Sequence, residues 1–95
     1  MPGLDPLIHA PARLQLVTSL TAVSEAEFST LREALDVSDS VLSKHVSALV
    51  DAGYVRSHKG VRDGRRTTWI SLTGAGRSAL RDHVAALREL IDVVD

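Results

Sequence analysis

The 95-residue chain contains no cysteine, so it has no disulfide framework and no thiolate zinc site. Aromatic residues are nearly absent as well, with one Phe, one Trp and one Tyr. Any core must come from Leu, Val, Ile and Ala, within a hydrophobic fraction of 44%. That composition suits helices and is too apolar for a disordered chain. No apolar run approaches the ~20 residues of a membrane-spanning helix. Met1-Pro2-Gly3-Leu4-Asp5 lacks the basic stretch that opens a signal peptide, so no membrane association and a cytoplasmic location are expected. A large net charge is missing too. The formal value is −1, whereas domains that bind nucleic acid are often strongly basic. The length suits one domain, 1–95, with a core small enough that a partner chain would add stability.

The distribution of charge says more than its total. Residues 1–37 carry two arginines against five acids, a balance of −3. In residues 38–66, Lys44, Arg56, Lys59, Arg62, Arg65 and Arg66 oppose Asp39, Asp51 and Asp63, giving +3. Residues 67–95 return to −1. His45 and His58 lie in the basic segment and would add charge below roughly pH 6.5.

Hydrophobic spacing and cap residues predict the elements. Residues 1–10 read as irregular. Pro11 suits the first turn of a helix over about 11–22, with Leu14, Leu16, Val17, Leu20 and Val23 at helical spacing. Glu25 to Phe28 reads as a link with room for a short extended pairing. Ser29 is the expected N-cap of a second helix, about 30–36, with Leu31, Ala34 and Leu35 inward. Val37 plugs the turn, and Ser38 caps a third helix with Asp39 in its first turn. In that helix Leu42, Val46, Leu49 and Val50 form the buried stripe, and Gly53 is a left-handed stop. Tyr54–Lys59 and Thr67–Leu72 read as strands. Gly60 and Asp63-Gly64 supply the turn between them, with a tip expected to exceed two residues. Thr73 caps a fourth helix that reaches about residue 94. The expected fold is therefore mostly α with a small antiparallel β-wing. The helix-turn-helix spans about 29–53, the wing about 54–72 and the long C-terminal helix about 73–94.

Helix, turn, helix and wing together form a layout for placing one helix in a DNA groove. The outward stripe of the third helix, with Ser40, Ser43, Lys44 and Ser47 following Ser38 and Asp39, has small hydroxyls that permit close approach and one lysine for phosphate or guanine. Arg62, Arg65 and Arg66 at the hairpin tip suit phosphates or a narrow minor groove, with Arg56 and Lys59 assisting from the strand. A winged-helix module that docks protein is the alternative, but it would not need arginines concentrated at the wing. Trp69 falls on the strand face opposite Ile70 and Leu72, where it either covers the sheet or meets a partner. No His-x-x-x-His pair occurs, and Asp82-His83 point apart on a helix, so no metal site and no cofactor are expected. Ser38, Asp39 and His45 are accounted for by capping and groove contact. No nucleophile elbow accompanies them, and no catalysis is expected. In the last helix Leu80, Val84, Leu87, Ile91 and Val94 follow a 4-3 spacing, which predicts a homodimer seam.

Several segments resemble the winged helix-turn-helix transcriptional regulators of the MarR and ArsR type, and more narrowly the small stand-alone winged-helix DNA-binding proteins. They are Ile8-His9-Ala10-Pro11-Ala12-Arg13-Leu14, Leu42-Ser43-Lys44-His45-Val46, Leu49-Val50-Asp51-Ala52-Gly53-Tyr54-Val55, Gly64-Arg65-Arg66-Thr67-Thr68-Trp69 and Leu72-Thr73-Gly74-Ala75-Gly76-Arg77. The resemblance covers about residues 7–90. It implies a bacterial or archaeal dimeric repressor or activator on a pseudo-palindromic operator in double-stranded DNA, with the third helix reading bases. The chain departs from the metal-sensing branch, lacking a cysteine pair on the recognition helix and a histidine–carboxylate set on the last. It also lacks the long flanking helices of full MarR proteins, so their ligand pocket does not carry over with the resemblance, and whether a small-molecule effector exists stays open.

Overall fold

The computed structural model describes residues 3–94. Met1 and Pro2, the start of the segment read for a signal peptide, lie outside it, as does Asp95. The elements are α1 (Pro6–His9), α2 (Pro11–Leu20), β1 (Ala26–Glu27), α3 (Phe28–Leu35), α4 (Asp39–Asp51), β2 (Val55–Arg62), β3 (Arg65–Leu72) and α5 (Gly74–Val94). The strands form one antiparallel sheet in the order β1-β3-β2. This is the expected helical fold with a small wing, and the Glu25–Phe28 link supplies the third strand.

Local chemistry explains most boundaries. The Asp5 carboxylate accepts the N–H groups of Leu7 and Ile8, and Pro6 opens α1. That turn lies in the stretch expected to be irregular, because four residues are too few to show a period. Ser38 caps α4, accepting the Val41 N–H at 3.2 Å. Gly53 ends the helix exit at φ +80°, a conformation that costs glycine no steric clash. Thr73 caps α5 by accepting the Gly76 N–H at 3.0 Å.

Three local expectations are overturned. First, α3 starts at Phe28 with Glu27, not Ser29, at the cap position. Glu27 is held extended opposite Trp69, and Phe28 packs against the core, so the chain turns helical directly after the strand. Ala34 is consequently exposed, because Phe28, Leu31 and Leu35 take the inner side. Second, Val50 is 39% exposed. It lies one position around from the Leu42-Val46-Leu49 stripe. Third, the hairpin tip has only two residues. Arg62 pairs with Arg65, and Asp63 and Gly64 both have positive φ, at 51° and 76°. Asp-Gly is favoured for this turn because its twist matches that of the strands. Pairing then continues through Val61 and Gly60. Gly60 stays in the strand beneath Trp69, where an added Cβ would meet the indole at 2.7 Å. Trp69 is half-buried over Gly60.

The core is aliphatic: Ile8, Leu16, Val17, Leu20, Leu31, Leu42, Val46, Leu49, Val55, Ile70 and Leu80. Leu80, expected in the dimer seam, thus packs inside its own chain, and Val84 lies against the same cluster. The seam expectation is corrected there, since the first turns of α5 are needed to close this core. Beyond them the end of α5 is exposed, and the molecule has extents of 52 × 25 × 22 Å. On this part of α5 Leu87 is half-buried, whereas Leu90, Ile91, Val93 and Val94 are 53%, 58%, 85% and 86% exposed.

Candidate nucleic-acid interface

The outward side chains of α4 meet the base of the wing across a cleft of about 400 Å³ lined by Phe28, Asp39, Ser43, Val46, Ser47, Ser57, Lys59 and Thr68. Asp39, Ser43 and Ser47 recur every four residues and share one side of the helix. Ser57 and Lys59 alternate along β2 on the face turned toward α4. The Lys59 ammonium donates to the Thr68 hydroxyl at 3.2 Å. Ser38, Ser40 and Lys44 are exposed as well but do not line this cleft. Ser40 and Lys44 lie one helical position around from Asp39 and Ser43. Sequence reasoning gave Lys59 only an assisting role and missed Ser57, Thr68 and Phe28. Strand alternation was a signal for Ser57 and Thr68. Phe28 offered none, since its position depends on how β1 pairs.

The three wing arginines are all exposed, but the structure does not gather them on one face. Arg66 lies opposite Val61, on the face shared by Lys59 and Thr68. Arg62 and Arg65 lie opposite each other, on the reverse face with Thr67 and Glu27. The Arg62 guanidinium donates to the Glu27 carboxylate, and the Thr67 hydroxyl donates to its other oxygen at 2.9 Å. These bonds hold the Glu27 carboxyl below the usual carboxylate range and push Arg62 further up.

Two further contacts set the pose of α4. Arg32 of α3 donates to Asp39 at 2.9 Å, tying the start of α4 to the helix before it. On the inner side, the Arg13 guanidinium lies 3.3 Å from His45 Nδ1. Burial, aided by the Arg13 charge, lowers the His45 pKa. His45 therefore gains a positive charge only at a lower pH than the sequence led us to expect. His58 instead lies 3.4 Å from Glu25. Among the described residues no group of three or more His, Cys, Asp or Glu side chains is placed to hold a metal, and no helix is long and apolar enough to cross a membrane.

Residues 12–91 match the family model described as a winged helix DNA-binding domain. Over 84 residues the chain is 29% identical to an uncharacterized protein of Methanocaldococcus jannaschii, covering 88% of this chain and 91% of that one. The solved structure of a transcriptional regulator homologue from Pyrococcus horikoshii superposes at TM-score 0.87 with 27% identity, over 94% of this chain and 88% of that one. A zinc-responsive MarR family member of Lactococcus lactis shares the fold at TM-score 0.63 and 19% identity, over 88% of this chain and 57% of that one. The chain thus belongs to the winged helix DNA-binding domain family and is a transcriptional regulator of the winged helix-turn-helix kind.

Proposed function

We propose that this regulator is a cytoplasmic, prokaryotic homodimer that binds a pseudo-palindromic operator sequence-specifically and represses by occupying it. The observation that carries this reading is the single concave face formed by α4 and the wing base, with Ser43, Ser47, Lys59 and Thr68 on its walls. The helix is laid into the major groove. Ser40, Ser43, Lys44 and Ser47 meet base edges, and Ser38 and Asp39 lie at its leading end. Serines keep the helix surface low enough for close approach, and Lys44 takes guanine or phosphate. Asp39, held by Arg32, suits the amino group of cytosine. Arg65 and Arg66 contact the flanking backbone or the minor groove.

Dimerisation is assigned to Leu87, Ile91 and Val94 with Leu90, at the exposed end of α5, where an apolar strip stands clear of the core. Two-fold pairing would set the recognition helices about 34 Å apart, one DNA turn. The test is selection of bound duplexes from a random pool, followed by titration with salt. Enrichment of a two-half-site motif is expected, with affinity falling steeply as salt rises. Recovery of no sequence preference would remove the operator reading.

A further inference from the structure

We infer that Glu27 is the positioning residue of the wing: by holding Arg62 and Thr67 together it sets where the Arg65–Arg66 edge stands relative to α4, and Arg62 serves this pairing rather than a phosphate. The inference rests on the DNA-binding reading above and deepens it.

Glu27 occupies the cap position of α3 but makes no side-chain bond to that helix. Its carboxylate turns to the sheet instead. The side chain is 12% exposed, against 58% for Arg62, so the acid is the enclosed member of the pair. Each oxygen has its own donor, Arg62 from the end of β2 and Thr67 from the start of β3. One carboxylate thereby joins both strands of the hairpin to the residue that begins the helix-turn-helix.

Toward its tip the wing has little else to orient it; nearer its base, Val55 and Ile70 lie in the core and His58 lies 3.4 Å from Glu25. β1 joins β3 through two residue pairs, Ala26 with Ile70 and Glu27 with Trp69. Beyond that point the hairpin is a two-stranded ribbon, which twists readily and is marginally stable without other contacts. Among the described residues, side-chain hydrogen bonds and ion pairs from 60–67 to the rest of the chain outside the wing end on Glu27.

Positioning and simple electrostatics predict opposite signs. An acid that merely neutralised Arg62 would compete with DNA. Removing it would free a cation and tighten binding. A positioning acid does the reverse, because its loss lets the wing arginines move off the backbone although the protein has become more positive.

The experiment uses the full chain and labelled random-sequence and selected duplexes across a salt series. It compares wild type, Glu27→Gln, Arg62→Gln and the charge-reversed Glu27→Arg/Arg62→Glu. Circular dichroism checks the fold of each. The singles are expected to weaken binding roughly three- to tenfold, as for two side chains acting as a unit. Arg62→Gln should leave the salt slope unchanged, and the reversed pair should recover to within about twofold of wild type. Backbone heteronuclear NOEs for Val61–Arg66, measured without DNA, should fall in Glu27→Gln. Tighter binding by Glu27→Gln, or a salt slope reduced by about one in Arg62→Gln, would overturn the inference. So would unchanged NOEs. If wild type binds neither duplex, the DNA reading fails, and the NOE measurement still decides whether Glu27 holds the wing.

Discussion

His83 has no exposed surface, and its Nδ1 accepts the Asp5 N–H at 3.0 Å. Nε2 has no partner among the described residues. The Asp5 bond requires Nδ1 unprotonated, so the neutral ring carries its proton on Nε2. Burial, with the nearby His9 charge, lowers the His83 pKa against the pull of Asp5. An unfolded histidine titrates near pH 6.5. Below that pH the unfolded state binds the extra proton and the folded state resists it. Stability is therefore full above about pH 6.5 and is lost as pH falls toward the folded pKa. His45 shifts in the same direction and adds to the effect. Asp5 is different. Burial pushes its pKa up, but the Tyr54 hydroxyl and the Leu7 and Ile8 N–H groups outweigh this, so its share is lost only in stronger acid. The urea midpoint should drop between about pH 7.5 and pH 5.5, and His83→Gln should flatten part of that drop. A pH-independent midpoint would contradict this. On the face proposed to meet DNA, Ser43→Ala and Lys44→Ala should reduce discrimination between operator and mutant sites by about 1–3 kcal/mol if each removes a hydrogen bond to a base edge. Equal losses on random duplex would make them phosphate contacts. The serines and lysine were legible from helical spacing. The buried role of His83 was not, because Asp5 lies 78 positions away in the chain.

Among the elements, α4 was the easiest to read, since its cap, stripe and glycine stop are all local signals. The wing was harder. Its Asp63-Gly64 turn is written in the sequence, yet strand pairing through Gly60 depends on Trp69 lying over it. Because Arg65 and Arg66 face opposite sides of β3, their replacement by Ala should weaken binding to all duplexes and reduce the salt slope by up to about one for each phosphate that an arginine had neutralised. Unchanged affinity and slope would remove the wing from the interface. α5 depends on close approach. A Cβ on Gly76 would lie 2.1 Å from the Tyr54 carbonyl oxygen, so the first turn of α5 rests on the exit of α4 only because that side chain is absent. Gly76→Ala should force the helix away and destabilise the chain by about 1–3 kcal/mol, as overpacking does. Thermal unfolding checks it. Gly74→Ala, with nothing within 4 Å of its added Cβ, is the control and should be neutral or slightly stabilising.

For the whole molecule, the two ends of α5 should answer differently to the same substitution. Ile91→Glu with Val94→Glu places like charges where each chain would face its own copy, on side chains already exposed. The product should be a folded monomer that binds single half-sites weakly. Leu80→Glu buries an unpaired charge in the core and should unfold the chain. Sedimentation and circular dichroism separate the outcomes, and a monomeric wild type at micromolar concentration would remove the seam. Sequence alone determined the order of the elements, the basic segment 38–66 and the polar face of α4. Each of these rests on residues within a few turns of one another, where spacing and caps act. Tertiary structure decided that the first turns of α5 close the core while its far end stays exposed. It also decided which side of the wing each arginine takes, and that Glu27 and His83 acquire partners far away in the chain. Those outcomes depend on how separate elements meet, and a local pattern carries no record of distance in space.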